Sequence, residues 1–179
     1  QCGIVAHTPR ADRIQFVAEL AKNWARLAKT AARERRVCLV LANYPNKDGR
    51  IGNGVGLDTP ESAVRLLDSM RNEGYTLDAL PADGAALMTA LQAGPTNAIA
   101  AYAKSSGGVR FTLDDYRDFL AGLDNAARAR VCERWGAAED DPFFRPKQKS
   151  FVLPVLSFGN VCVAIQPARG YNIDPAASY

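Results

Sequence analysis

The sequence predicts an α/β fold: a mainly parallel sheet with flanking helices, plus a helical hairpin and a C-terminal β-hairpin. Three observations carry this. Val37-Cys38-Leu39-Val40-Leu41-Ala42 is a short apolar run without alternation, the pattern of a strand covered on both faces. A long loop follows, then a helix opening at Thr59-Pro60-Glu61-Ser62, and the three together make a βα unit. Near the end, the apolar runs Phe151–Ser157 and Val161–Gln166 flank Phe158-Gly159-Asn160, where Gly-Asn suits a tight hairpin turn.

The first 36 residues form a separate N-terminal segment. From Asp12 the pattern is helical, with Ile14, Val17, Ala21, Trp24, Ala28 and Ala31 on one stripe. Lys29, Arg33, Arg35 and Arg36 crowd its end, where cations suit the negative helix pole or an acidic partner. Residues 37–179 form the α/β domain. In the helix after the long loop, Thr59 is the expected N-cap, Pro60 occupies the first position, and Gly74 closes the helix left-handed. Thr76–Leu80 is a candidate short strand.

A helical insertion spans about residues 83–136. Asp83 caps a helix over about Ala85–Gln92, closed by Gly94-Pro95. Asn97–Lys104 is a candidate helix, and Ser105-Ser106-Gly107-Gly108 is a break. A helix from Thr112 to about Gly122 and its expected antiparallel neighbour, Asn125–Trp135, would meet through Leu113, Tyr116, Phe119, Leu120, Val131 and Trp135. Glu139-Asp140-Asp141 reads as a solvated loop, since consecutive carboxylates seldom converge on a cation without further ligands.

Composition narrows the function classes. With 179 residues, 47% apolar and 23% charged, the chain is globular and neither disordered nor fibrous. The net charge of +3 is too small an excess to argue for nucleic acid. No apolar run approaches the roughly 20 residues that cross a bilayer, and no secretory signal is visible. Of the four cysteines, Cys38 and Cys162 sit in apolar runs and are expected as small buried hydrophobes. With no Cys-x-x-Cys pair and His7 the only histidine, a Cys/His zinc site is disfavoured, and a reducing compartment such as the cytoplasm is expected. The end of the chain does not read as a terminus, so a piece of a longer protein is expected.

Two segments can carry chemistry. The first runs from Asn43 to Asp58, 16 residues against the roughly 2–6 of an ordinary βα connection. It leaves the carboxyl end of a strand, where α/β folds bind ligands, and its glycines let backbone approach a ligand closely. It is neither standard phosphate motif. Gly49 and Gly54 have the Walker spacing, but Val55-Gly56 stand where Lys-Ser/Thr belongs. Gly52 and Gly54 begin a dinucleotide fingerprint whose third glycine is replaced by Leu57. The second segment is Gln166 to Pro175. Here Arg169 can clamp a carboxylate, Tyr171 can stack on a flat ring, and Asp174 can accept a hydrogen bond or cap a helix. Spacing leaves open whether the two segments face one pocket.

In these segments the chain resembles the large subunit of the ATP-dependent cobaltochelatase of aerobic cobalamin biosynthesis. The resemblance rests on the string from Leu41 to Pro60, on Arg134-Trp135-Gly136, on Asp141-Pro142-Phe143-Phe144-Arg145, and on the string from Phe158 to Pro175. It covers about Arg35 to the end and matches the first 34 residues only loosely. The magnesium chelatase large subunit shares a looser pattern at Gln166, Pro167, Gly170, Tyr171, Asp174 and Pro175. It lacks the Asn53-Gly54-Val55-Gly56-Leu57-Asp58-Thr59-Pro60 stretch, so the cobalt branch is favoured.

The resemblance implies a subunit that binds a corrin precursor, hydrogenobyrinic acid a,c-diamide, and inserts Co²⁺ as the second substrate. Two smaller partner subunits, an AAA+ ATPase pair, would hydrolyse the ATP, with no nucleic acid or membrane involved. The substrate-binding candidates are Asn43, Asn53, Asp58, Gln166, Arg169 and Tyr171. No metal ligands or catalytic groups are assigned, and the chain alone is expected to be inactive. The alternatives are a scaffold or docking module for the ATPase subunits with no direct substrate contact, served by the Asp114–Trp135 helices and the basic end at Arg33–Arg36, or a fragment of a magnesium chelatase-type large subunit.

Overall fold

The computed structural model describes residues 8–43, 48–102 and 104–167. Helix α1 (Ala11–Lys29) is followed by a connector and strand β1 (Val37–Leu41). A two-stranded hairpin, β2 (Asn53–Gly54) and β3 (Leu57–Asp58), occupies the long loop. Helices α2 (Thr59–Asn72), α3 (Gly84–Ala93) and the single turn α4 (Ile99–Tyr102) come next. Strand β4 (Val109–Thr112), helices α5 (Leu113–Ala121) and α6 (Asn125–Trp135), and strands β5 (Ser150–Leu153), β6 (Val155–Phe158) and β7 (Val161–Ile165) complete the order.

The main sheet has the order β1-β7-β6 and is mixed. β1 runs parallel to β7, with Val37 opposite Val161 and Leu41 opposite Ile165, while β7 and β6 form the expected antiparallel hairpin. Strand alternation sends Leu41, Val161, Val163 and Ile165 to one face, where α2 and α3 cover them with Val64, Leu67, Leu87 and Leu91. The other face is open along β1, while Ala164 of β7 is buried there. Cys38 and Val40 are exposed, so β1 is covered on one side only, and Cys38 is not the buried hydrophobe its apolar run suggested. An unbroken apolar run could not distinguish these cases, because the exposed residues of β1 are themselves apolar.

Local chemistry explains the helix ends. Asp58, one residue before the expected cap, accepts the Glu61 N–H at 3.1 Å, which moves Thr59 and Pro60 into the first turn of α2. Glu61 also reaches across to α3, its Oε2 accepting the Gly84 N–H at 3.0 Å. Asp83 caps α3 through the Ala86 N–H, and Thr112 and Asp115 form a reciprocal capping box on α5. Those hydrogen bonds from Thr112 hold the Asp115 carboxyl below its ordinary range.

Several expectations are corrected. Residues 76–80 form no strand. They are an extended segment that presents the Thr76 carbonyl to the Asn160 N–H at 3.0 Å, and Leu77 and Leu80 pack on the core. The first apolar run near the end divides at Pro154, and its first half pairs antiparallel with β4, a strand that no sequence pattern marked. The α5–α6 contact is thin: Leu113 is buried, but Phe119 and Trp135 are exposed and α6 buries no residue. The helix expected over residues 97–104 is one turn.

At the β6–β7 turn, Gly159 has φ +78° and a Cβ there would collide with the Thr76 carbonyl oxygen. Next to it, Asn160 Nδ2 donates to the carbonyls of Ala32 (3.0 Å) and Arg35 (2.7 Å), tying the connector after α1 to the hairpin. Gly159→Ala is therefore expected to cost about 2 kcal/mol or more, from left-handed strain plus the clash. Chemical denaturation of the variant checks this.

Candidate functional site: a carboxamide cluster at the strand ends

The two segments singled out in the sequence leave the carboxyl ends of adjacent parallel strands, so the fold brings their first residues together. Beyond the last register pair, Gln166 donates its N–H to the Leu41 carbonyl at 2.9 Å. The Gln166 side chain turns back, and its Oε1 accepts the Asn43 N–H at 3.4 Å. Asn97, from the segment after α3, donates its Nδ2 to the Gln166 carbonyl at 2.8 Å. Three carboxamides from three segments thus stand at one sheet edge.

Asn43 is the unusual member. Its residue is 1% exposed, and neither its side-chain nitrogen nor its oxygen has a hydrogen-bond partner. Leaving buried polar atoms unpaired costs about 1–3 kcal/mol, so such a group in a folded protein needs a reason. Ile51 and Gly52, from the far part of the loop, return to the end of β1. Asn43 forms an antiparallel bridge with Ile51, and Gly52, at φ +71°, donates its N–H to the Ala42 carbonyl at 2.7 Å.

The remaining candidates separate into two groups. Asn53 and Asp58 are opposite one another in the β2–β3 ladder on an exposed hairpin, and the Asp58 carboxylate is engaged as the α2 cap. Arg169 and Tyr171 lie outside the described residues. Asn97 and its buried neighbour Thr96 were missed. The Gly94-Pro95 signal ended a helix correctly, but nothing in the spacing tied the next residues to the sheet edge.

Beside the cluster lies a cavity of about 520 Å³, within the usual range for small-molecule sites. Thr96, Asn97 and Pro167 form part of its lining next to the strand ends, and Val40 and Ala164 contribute the open sheet face. Opposite stand Tyr102, Tyr116, Trp135, Phe143 and Phe151. This aromatic wall is held firmly. Tyr102 stacks edge-on against Phe143 with centroids 4.7 Å apart, and its hydroxyl accepts the Val152 N–H at 2.8 Å. The Arg145 guanidinium lies 4.6 Å from the Tyr102 ring centroid and donates to the Tyr102 carbonyl. Burial first, and then the neighbouring Cys132, Asp141 and Glu139 side chains, push the Tyr116 phenol above its ordinary range. Trp135, expected in a helix–helix core, belongs to this wall instead.

The acidic stretch is tied into the fold: Glu139 pairs with Arg117 at 2.7 Å and Asp141 accepts the Phe143 N–H. Among the described residues no three His, Cys, Asp or Glu side chains gather to hold a metal ion, and no helix is long and apolar enough to cross a membrane.

Known proteins share this sequence and fold. The family model described as CobN/Magnesium Chelatase matches residues 1–179. The aerobic cobaltochelatase subunit CobN of Sinorhizobium sp is 49% identical over 179 residues, 100% of this chain and 14% of that protein. A magnesium-chelatase subunit of Cereibacter sphaeroides is 32% identical over 176 residues, 95% of this chain and 13% of that protein. Among solved structures, the catalytic subunit of cobaltochelatase from Mycobacterium tuberculosis superposes with a TM-score of 0.74 at 35% identity, covering 95% of this chain and 14% of that one. The similarity includes the first 34 residues, which the motif resemblance matched only loosely. Spanning about 14% of the length of its cobaltochelatase relatives, this chain belongs to the CobN/magnesium chelatase family.

Proposed function

We propose that this chain contributes part of the macrocycle pocket of a cobaltochelatase large subunit, holding a corrin precursor such as hydrogenobyrinic acid a,c-diamide during Co²⁺ insertion. The observation that carries the reading is the aromatic-walled cavity at the strand ends, lined by Asn97, with the buried, unpartnered carboxamide of Asn43 tied to that lining through Gln166. A corrin precursor is a flat macrocycle rimmed with carboxylates and amides. Its face suits the aromatic wall, and a rim amide can both donate to and accept from Asn43. Gln166 and Asn97 brace the strand ends that present Asn43, and Arg169 and Tyr171 extend the same segment. Asn53 and Asp58, on the β2–β3 hairpin, are proposed as outer rim contacts.

Insertion also requires removal of ring N–H protons and desolvation of the ion. Among the described residues Asp141 is the carboxylate that lines the cavity, and further proton acceptors are proposed to come from other parts of the large subunit. ATP is hydrolysed by partner subunits, an AAA+ pair, in keeping with the missing Walker pattern. The test is an absorbance titration of the full-length subunit with hydrogenobyrinic acid a,c-diamide and, for comparison, protoporphyrin. Saturable binding selective for the corrin precursor is expected, weakened about tenfold by Gln166→Ala or Arg169→Ala, the loss of about 1.4 kcal/mol. Unchanged affinity in both variants would move the pocket elsewhere.

One observation favours a second reading, docking. Helix α1 buries no residue, and Ile14, Phe16, Val17, Leu20, Trp24 and Leu27 are all exposed. An apolar surface of this kind marks an interface. In this reading α1 and the basic stretch Arg33–Arg36 engage the ATPase subunits. Trp24→Glu in the full-length subunit should then weaken ATPase binding in a pull-down while leaving macrocycle affinity unchanged.

A further inference from the structure

The open face of the main sheet carries a pair of thiols that play no part in the carboxamide cluster. Cys38 on β1 and Cys162 on β7 are direct register partners in the parallel ladder. The residues on either side of Cys162, Val161 and Val163, point into the core, so both cysteines project from the opposite face, beside Val40. Adjacent strands lie about 4.8 Å apart, and the Cα separation a disulfide requires is about 4.4–6.8 Å. The side-chain directions agree too, since register partners project the same way. Burial first, and then the neighbouring Cys38, push the Cys162 thiol up to about 11. Cys38 is exposed and Cys162 half-buried.

We propose that Cys38 and Cys162 are a redox modification site, a dithiol that closes to a cross-strand disulfide by exchange with a low-molecular-weight disulfide such as oxidised glutathione. The Cys38 thiolate attacks the small disulfide, whose S–S bond breaks and releases one thiol, leaving a mixed disulfide on Cys38. Cys162 loses its proton to solvent, and its thiolate attacks the Cys38 sulfur. The Sγ–Sγ bond forms and the second small thiol leaves. Two protein thiols are oxidised and one small disulfide is reduced to two thiols. In a reducing compartment the pair stays open, and oxidative load closes it. Reopening by attack on Cys38 must expel the basic Cys162 thiolate, a poor leaving group, so the closed form persists. Closure staples the two strands that carry Asn43 and Gln166.

The experiment exposes the full-length subunit to oxidised glutathione, alkylates the remaining thiols in denaturant and maps the peptides by mass spectrometry. The same oxidant acting on the urea-unfolded protein confirms its strength. The expected result is a linked Cys38–Cys162 peptide in the native protein, and a trapped glutathione adduct on Cys38 in Cys162→Ser. A stable glutathione adduct on Cys38 in the wild type without the linked peptide would overturn the proposal. So would full alkylation of both cysteines under conditions that oxidise the unfolded chain.

Discussion

Replacing Asn43 with Leu in the full-length subunit is expected to have two opposite effects: the free protein becomes more stable and substrate binding becomes weaker. The side chain is fully enclosed, and both of its polar atoms lack a partner. Leu has the same branched shape, is somewhat larger, and has no hydrogen-bonding capacity, so the substitution removes an unsatisfied buried group. Stability should rise by about 1 kcal/mol, seen as an upward shift in denaturation midpoint. If a rim amide of the macrocycle pairs with Asn43 in the complex, the same change loses up to two hydrogen bonds, worth about 1–3 kcal/mol together. Affinity for hydrogenobyrinic acid a,c-diamide should then fall roughly 10- to 100-fold. A residue that only filled space would show neither gain nor loss. One that braced the loop through unseen bonds would show a loss of stability, contrary to this expectation.

Leu67→Ala should be the most damaging single truncation of the core. Leu67 lies on α2, is fully buried, and packs with Val163 and Ile165 of β7 and with Leu87 of α3 in one cluster. Deleting its buried carbons forfeits their transfer free energy and leaves a cavity between helix and sheet, a combined cost of about 2–5 kcal/mol. Its neighbour Leu66 is nearly half exposed, so Leu66→Ala should stay within about 0.5 kcal/mol of wild type. Urea unfolding of both variants reads the contrast directly. Because α2 and the parallel pair β1–β7 share that core, Leu67→Ala should also loosen the strand ends and weaken macrocycle binding. Equal costs for the two leucines would mean that α2 does not face the sheet as described.

The parts of the fold that the sequence revealed are those written in local chemistry. Asp83 before Gly84, the Thr112/Asp115 box, Gly74 after α2 and the Gly159-Asn160 turn each satisfy backbone groups or adopt dihedrals that few other residues can, and they left readable marks. What stayed hidden depends on partners far along the chain. β4 pairs with β5 about 40 residues away, and Val109-Arg110-Phe111-Thr112 is too short to show a period. Apolar content misled at β1, where Cys38 and Val40 face outward, and at Trp135, which lines a cavity instead of a helix interface. In the site, the segments beginning at Asn43 and Gln166 were found because both leave strand ends. Their meeting was not legible, since only the β1–β7 pairing brings them together. Asn97 was invisible for the same reason: its link to Gln166 spans 69 residues.

The central claim, that the macrocycle lies between the open sheet face and the aromatic wall, is tested most directly by photocrosslinking. A benzophenone amino acid replaces Trp135 in the full-length subunit, which is irradiated with hydrogenobyrinic acid a,c-diamide. The account predicts a covalent adduct at position 135 that excess unmodified substrate during irradiation suppresses, and no adduct when the same probe replaces exposed Leu66 on the far side of the sheet. Saturable binding of the macrocycle with no adduct at position 135 would contradict it.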